Sequence, residues 1–502
     1  MVEKRIDLVS ILEKALSEKH IEKLEETGSV IKVGDGICKI FGLSNAMFGE
    51  LIEFESGNKG IVLDIDEDYI SVVLLSTNIQ VVEEETAKRT GNVFKIPVGN
   101  KLLGRIINSL GEPIDSFGEI KYEKFESIEK LAPGIIDRTP VCQPLETGIT
   151  VIDSLIPIGK GQRELLIGNR STGKTAMVID TILHQKNKNT ICIYVSIGNK
   201  ISNVAKIINI LEQNKALEYS IIVVANAQDP VINQYFAPYS GCTIGEHFMN
   251  NGKDVLIIYD DLSNHAIAYR ELSLLLKRPP GREAYPGDIF YLHSRLLERA
   301  CKLSDEKSGG SLTAIPIIQT QGDDISAYIP TNLISITDGQ IFLDTNLFNK
   351  GIRPSVNVGL SVSRVGSNAQ TKAMKKVSGT IKLDLAQYEE LLAFAQFGSE
   401  LDRSSQRAIE RGRRAIEILK QSQYETYSFV DQTIFLFLLK ENCLDHLIID
   451  EVKTFAVQFA SYVKETASNL YKQILETQDL SKESEKQLKE IAEEFSVLFK
   501  KE

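Results

Sequence analysis

The chain has 502 residues, 43% of them hydrophobic and 25% charged; this exceeds what one core organises and suits about two to four globular domains. A net charge of −11 excludes the basic footprint that a nucleic-acid surface needs. The six cysteines and six histidines are scattered, without C-x-x-C or zinc-type spacing, so a disulfide framework and a structural metal are excluded and reduced thiols in a cytosolic compartment are expected.

The N-terminus shows no signal-type apolar stretch. No apolar run approaches the roughly 18–20 residues that a bilayer requires, and the longest, around 434–439, has core-helix length. Residues 1–24 place Leu8, Ile11, Leu12, Ala15 and Leu16 on one helical stripe, either a docking arm or a helix on its own domain. From 25 to 95 the period shortens. Runs at 30–33, 37–41, 50–54, 61–65 and 69–75 alternate with Gly-Asp-Gly, Gly-Asn and Asp-Glu-Asp turns, predicting a small β-barrel or sandwich.

From 96 to 371, strands at 164–167, 191–197, 221–225, 255–259 and 312–318 alternate with helical segments. Their continuous apolar character suits a parallel sheet buried on both faces. From 372 to 502 only helical periodicity remains, as in Leu488, Ile491, Phe495, Leu498 and Phe499. The chain thus divides into an arm (1–24), a β domain (25–95), an α/β domain (96–371) and a helical domain (372–502).

Inside the α/β region an apolar strand runs into Gly168-Asn169-Arg170-Ser171-Thr172-Gly173-Lys174-Thr175, the G-x-x-x-x-G-K-[ST] pattern. The glycines let successive backbone N–H groups turn inward around a phosphate, and the following helix aims its positive end at the same anion. Lys174 reaches the β- and γ-phosphates in this arrangement, and the Thr175 hydroxyl holds Mg²⁺. A second apolar strand, 253–259, delivers Asp260-Asp261. Asp260 fits the acid that orients Mg²⁺ through water, and Asp261 suits a helix N-cap. The cofactor expected is Mg-ATP or Mg-ADP.

Around these elements lie longer matches. They include 132–138 (Ala-Pro-Gly-Ile-Ile-Asp-Arg), 237–242, 278–288 (Arg-Pro-Pro-Gly-Arg-Glu-Ala-Tyr-Pro-Gly-Asp), 291–299, 326–332 and 361–366 (Ser-Val-Ser-Arg-Val-Gly). In these stretches the protein resembles the alpha subunits of F-type ATP synthases, with similarity from about residue 25 to 425. The resemblance implies a multidomain fold: an N-terminal β-barrel crown, a central RecA-like α/β P-loop nucleotide-binding domain and a C-terminal α-helical domain. It implies an alternating hexamer with beta subunits around a gamma-subunit shaft. A delta subunit and peripheral stalk would be reached through the N-terminal arm. The complex would sit peripherally on the cytoplasmic face of a bacterial membrane, without nucleic acid.

Further roles follow from the resemblance. Arg364 matches an arginine finger that acts on the neighbouring subunit's nucleotide, with Ser361 needed for activity beside it. Arg353-Pro354, Gln421 and Gln423 match segments that pocket the adenine ring. Asn199 stands where beta subunits carry a water-aligning Glu and alpha subunits Gln; an amide has no useful basicity, so this site is expected to bind without hydrolysing. Asn169, Ser171, Asn199 and Gln319 depart from the usual family residues, and losing a Gln at Ser171 loosens the expected hold on the base. The expected function is the regulatory, non-catalytic alpha subunit of a synthase driven by a proton or sodium gradient. The alternatives are an F-type-like ATPase not coupled to ion flow, and a flagellar or type III export ATPase, which would need a carboxylate at Asn199. An RNA-tracking helicase would need a basic aromatic groove, which an acidic protein without Trp lacks.

Overall fold

The computed structural model describes residues 26–76, 81–396 and 402–499; the arm expected at 1–24 lies outside them. Two compact units emerge. One comprises residues up to Lys95 with Leu272–Arg278, and the other comprises Ile96–Glu271 with Pro279–Glu502.

The first unit is built on a closed antiparallel barrel of β1 (Thr27–Gly34), β2 (Ile37–Phe41), β3 (Glu50–Phe54), β4 (Lys59–Ile65), β5 (Tyr69–Leu74) and β6 (Thr86–Val93), ordered β1-β2-β5-β4-β3-β6. Val30, Ile40, Ile52, Phe54, Val62, Ile70 and Val72 fill its interior. The sequence predicted five strands here; the sixth was missed because Thr86–Val93 is largely polar and carries no alternating signal. Glu50 is fully buried and satisfied by Arg89 Nη2 at 3.0 Å and by the Met47 and Gly91 amides, each at 2.8 Å.

Three short strands follow: β7 (Lys95–Val98), β8 (Ile106–Asn108) and β9 (Lys124–Ser127). The second unit is organised by a sheet that adds β10 (Leu165–Gly168), β11 (Thr190–Asn199), β12 (Ser220–Asn226), β13 (Asp254–Asp260), β14 (Ser311–Gln319), β15 (Gly339–Leu343) and β16 (Val362–Ser363) to β8. Its order is β16-β15-β10-β14-β13-β11-β12-β8, parallel throughout except for β16. Helices cover the sheet, which is why its strands read as unbroken apolar runs. The buried helix Val231–Asn250 lies so close that a Cβ on Gly241 would stand 2.4 Å from Val195 Cγ2, and one on Gly245 2.8 Å from Leu312 Cδ1.

Beyond residue 371 the fold is helical. Thr371 caps Lys372–Ser378 through the Met374 amide, and Ser428 with Asp431 forms a capping box on Phe429–Lys440. The latter helix contains the apolar 434–439 run, entirely buried. Phe495 packs edge-on to Phe455 at 5.1 Å between centroids, with Leu488 buried and Leu498 exposed on the same helix. Apolar side chains from Leu166 on β10 to Phe495 belong to one continuous core cluster, so the helical region and the sheet share their interior. The three-part architecture expected from the sequence is the one observed: barrel, α/β region, helices.

Arg299, 1% exposed, is the largest fully buried polar side chain among the described residues. It donates to both Glu246 carboxylate oxygens at 2.7 Å, to the Ile128 carbonyl at 2.8 Å and to Thr243 Oγ1 at 2.8 Å. Truncating Arg299 strips both short bonds from the buried Glu246 carboxylate and leaves it with the longer Lys130 contact at 3.4 Å. Arg299→Ala is therefore expected to cost about 3–5 kcal/mol of unfolding free energy, whereas Arg299→Met with Glu246→Met loses much less. Urea denaturation of the variants alongside the unmodified protein checks this, and equal losses would contradict it.

Candidate nucleotide-binding site

Strand β10 lies inside the sheet, between β14 and β15, and the glycine-rich loop leaves its C-terminal end. Gly173 (φ 101°) and Ser171 (φ 64°) both adopt left-handed backbone, which turns the loop sharply into the helix Lys174–His184. At Gly173 this conformation favours glycine; Ser171 adopts it with a side chain. Thr172 Oγ1 closes the loop on the Asn169 carbonyl at 2.8 Å, and Ser355 Oγ donates to the Thr172 carbonyl at 3.1 Å. The backbone N–H groups from Ser171 to Ala176 meet no acceptor among the described residues. A row of free amides at a helix N-terminus fits a polyphosphate.

Lys174 is buried, and its Nζ folds back to the Gly168 carbonyl at 2.8 Å and to the Asn169 carbonyl. Burial lowers its pKa, opposed by the charges of Asp261, Asp260 and Asp323. Asp260 ends β13 and is buried, with the Tyr194 hydroxyl donating to its Oδ2. Burial raises its carboxyl pKa, opposed by that hydrogen bond and by Lys174. Asp261 accepts from the Ser263 amide at 2.6 Å, ahead of the helix Leu262–Leu275. Burial and the neighbouring Asp260 push its carboxyl up to about 7. The half-buried Thr175 and the acid of Asp260 form a hard-oxygen set suited to Mg²⁺. Asn199, at the end of β11, donates its side-chain amide to the Asp260 carbonyl at 2.8 Å and to Ser196 Oγ at 3.2 Å.

Behind the loop opens a cavity of about 610 Å³ whose lining includes Thr172, Gly173, Phe348, Arg353, Pro354 and Gln423. The Arg353 guanidinium lies 4.5 Å from the Phe348 ring centroid. Gln421 lines the cavity too, but its side-chain amide is committed to the fold. Its Oε1 accepts from the Thr150 amide at 3.1 Å, and its Nε2 donates to the Gly148 carbonyl at 2.7 Å and to the Glu425 carbonyl. It offers the cavity little beyond its apolar face. Gln423 is exposed at the rim, and Arg170 is exposed on the loop.

Arg364 and Ser361 lie elsewhere. Ser361 is buried, donating to the Asn357 carbonyl at 2.6 Å and accepting from the Phe342 amide at 3.0 Å, which ties the segment before β16 to β15. Register sets the distance to the loop: Leu343, at one end of β15, pairs with Gly168, while Gly339, at the other, pairs with Ser363. Arg364 thus stands a strand's length, roughly 13 Å at ~3.3 Å per residue, from the phosphate loop of its own subunit. It is exposed, makes a 3.5 Å contact with the Ile334 carbonyl and forms no ion pair among the described residues.

Sequence reasoning did not single out Asp180, Tyr194, Phe348, Glu417, Glu425 or Lys453. Tyr194 and Asp180 had a usable signal, a polar group inside an apolar strand and helix next to the loop; the others come from distant segments that only the fold brings together.

Such a loop, acid and parallel sheet define a P-loop nucleotide-binding protein. Three models of the ATP synthase alpha/beta family match: its β-barrel domain at residues 23–91, its nucleotide-binding domain at 148–363, and its C-terminal domain at 370–495. The protein is similar to an ATP synthase subunit alpha of Caldanaerobacter subterraneus subsp. tengcongensis, 55% identical over 93% of this sequence and 92% of that one. It is also similar to one of Clostridium botulinum, 54% identical over 98% of both. The chain belongs to the ATP synthase subunit alpha family. Among the described residues no helix is long and apolar enough to cross a membrane.

Asp180 supplies a pH test. Burial pushes its carboxyl up to about 6, opposed by the Tyr424 amide that donates to it at 2.9 Å. An unfolded aspartate ionises near ~3.9, so this group's contribution falls as pH rises from ~4 through about 6 and stays lower above. Asp180→Asn keeps an acceptor for Tyr424 without the charge. It is expected to stabilise the protein by about 1–3 kcal/mol at alkaline pH, with the gain shrinking towards pH ~5. Urea midpoints at the two pH values check this, and a pH-independent difference would contradict it.

Proposed function

We propose that the protein is the regulatory, nucleotide-holding alpha subunit of a rotary F-type ATP synthase. Its complex makes ATP from ADP and phosphate, driven by a transmembrane ion gradient. In this reading it alternates with beta subunits around a gamma subunit, with the delta subunit and peripheral stalk reached through residues 1–24, on the cytoplasmic face of a bacterial membrane.

The observation that carries the non-catalytic assignment is Asn199. Hydrolysis needs a group that aligns and polarises the attacking water, normally a carboxylate near the γ-phosphate. The resemblance puts Asn199 at that position, and its amide, which donates to the Asp260 carbonyl, supports the reading. Lys174 and the loop amides would hold the phosphates; Thr175, with Asp260 through water, would hold Mg²⁺. The metal supplies charge neutralisation of the phosphates. The retained nucleotide is therefore a structural ligand of this subunit.

Arg364 is the subunit's contribution to catalysis elsewhere. Its placement away from its own loop, without an internal ion-pair partner among the described residues, favours service in trans over a structural salt bridge. A guanidinium presents a planar fork that spans two phosphoryl oxygens, which a lysine cannot reproduce.

Purified alone, the protein is expected to bind Mg-ATP with essentially no turnover; hydrolysis at rates comparable to the assembled complex would overturn the assignment. Lys174→Ala should cut nucleotide retention on this subunit, with a milder effect on complex turnover than the equivalent change in the partner. Equal effects would make this site catalytic. Arg364→Lys should lower multi-site ATP hydrolysis by the complex by about 10³–10⁵ in kcat while leaving ATP binding to its own subunit nearly unchanged. Near-normal turnover, or failure to assemble, would reduce Arg364 to a structural residue.

A further inference from the structure

The cavity behind the phosphate loop extends to the C-terminal helices and ends on a cation whose local partners do not satisfy it. Lys453, from the helix Ile449–Thr466, lines the cavity together with Glu417 and Glu425. Its Nζ lies 4.6 Å from the Tyr427 ring centroid and 5.5 Å from that of Phe435, and it makes one long hydrogen bond, 3.4 Å to the Ile418 carbonyl. The two nearby carboxylates are engaged otherwise. Glu425 accepts from the Ser422 amide at 3.3 Å and from the Tyr427 hydroxyl, and Glu417 accepts from Lys420 Nζ at 2.6 Å. Lys453 forms no ion pair among the described residues.

An ammonium carries three N–H donors. Aromatic faces stabilise its charge but leave its hydrogen-bonding capacity largely unused, so two donors remain for whatever fills the cavity. The cavity's composition says which part of a ligand arrives there. Thr172 and Gly173 of the phosphate loop line it, Arg353, Pro354 and Phe348 line its wall, and Lys453 and Glu425 come from the helical region. With the polyphosphate on the loop amides, the helical end receives the base. Burial lowers the ammonium's pKa to about 8, against the charges of Glu425 and Glu417, so the group is still chiefly a charged donor at neutral pH.

We infer that Lys453 is a specificity-determining residue of this site, donating a hydrogen bond to a ring nitrogen of the bound purine nucleotide's base. The inference rests on the nucleotide-site reading above. It gives the protein direct hold on the base from a residue outside the phosphate loop, where Ser171 is too short to reach so far.

The test is equilibrium binding of Mg-ATP and of three ATP analogues, in which N1, N3 or N7 of adenine is replaced by C–H, to the full-length protein and to Lys453→Met. A hydrogen bond to a charged group accounts for about tenfold in affinity. The unmodified protein should bind one analogue about tenfold more weakly than ATP and the other two like ATP. Lys453→Met should bind ATP about tenfold more weakly and no longer distinguish it from that one analogue. Equal binding of all four ligands by the unmodified protein would overturn the inference whether or not the variant folds. So would a variant that binds ATP normally, or one that keeps the same discrimination. No binding of any of the four by the unmodified protein would instead overturn the nucleotide-site reading itself.

Discussion

Six consecutive backbone amides, from Ser171 to Ala176, gather at the start of one helix and find no acceptor among the described residues. Unsatisfied donors at a half-buried helix start are costly unless water or an anion meets them, and the helix dipole adds to their preference for negative charge. The surrounding features follow from this arrangement. Strand β10 must lie inside a parallel sheet so that the loop emerges at its C-terminal edge. Lys174 must be buried close by, and Asp260 must reach the same edge from β13. Tyr194 and Asn199 then fix the acid from β11 through its side chain and its carbonyl.

The same edge explains the division of labour between the residues. Under the proposed function, what lies at the C-terminal ends of β10, β11 and β13 would act on the subunit's own nucleotide. Ser363 and Arg364 lie at the opposite end of β15, away from that edge. The helical region completes the cavity from the far side, through Gln421, Glu425 and Lys453. Its apolar residues share one core cluster with the sheet.

Much of this was legible in the sequence because it is local. The loop is read from eight consecutive residues, 168–175, Asp260 from an apolar strand ending in an acid, and the barrel strands from turn punctuation. Where the signal was tertiary, the reading stopped. Strand β6 is polar, β8 has three residues and β15 has five, so none declares itself by period. Lys453 reads as an ordinary helix-surface lysine until the fold brings its stem against Tyr427 and Phe435. Gln421 shows the reverse case: the resemblance marks it as a cavity residue, and the geometry shows its amide spent on Thr150 and Gly148.

The central claim is that this subunit holds a nucleotide that it does not cleave, within a complex that cleaves one next door. The direct measurement uses a photo-crosslinkable ATP labelled separately at the α- and γ-phosphates, attached to the assembled complex after many turnovers. The account predicts that the adduct on this subunit retains both labels, in equal amounts, while the adduct on the neighbouring subunit has lost the γ-label. An adduct on this subunit with the α-label but without the γ-label, formed as fast as the complex turns over, would contradict it.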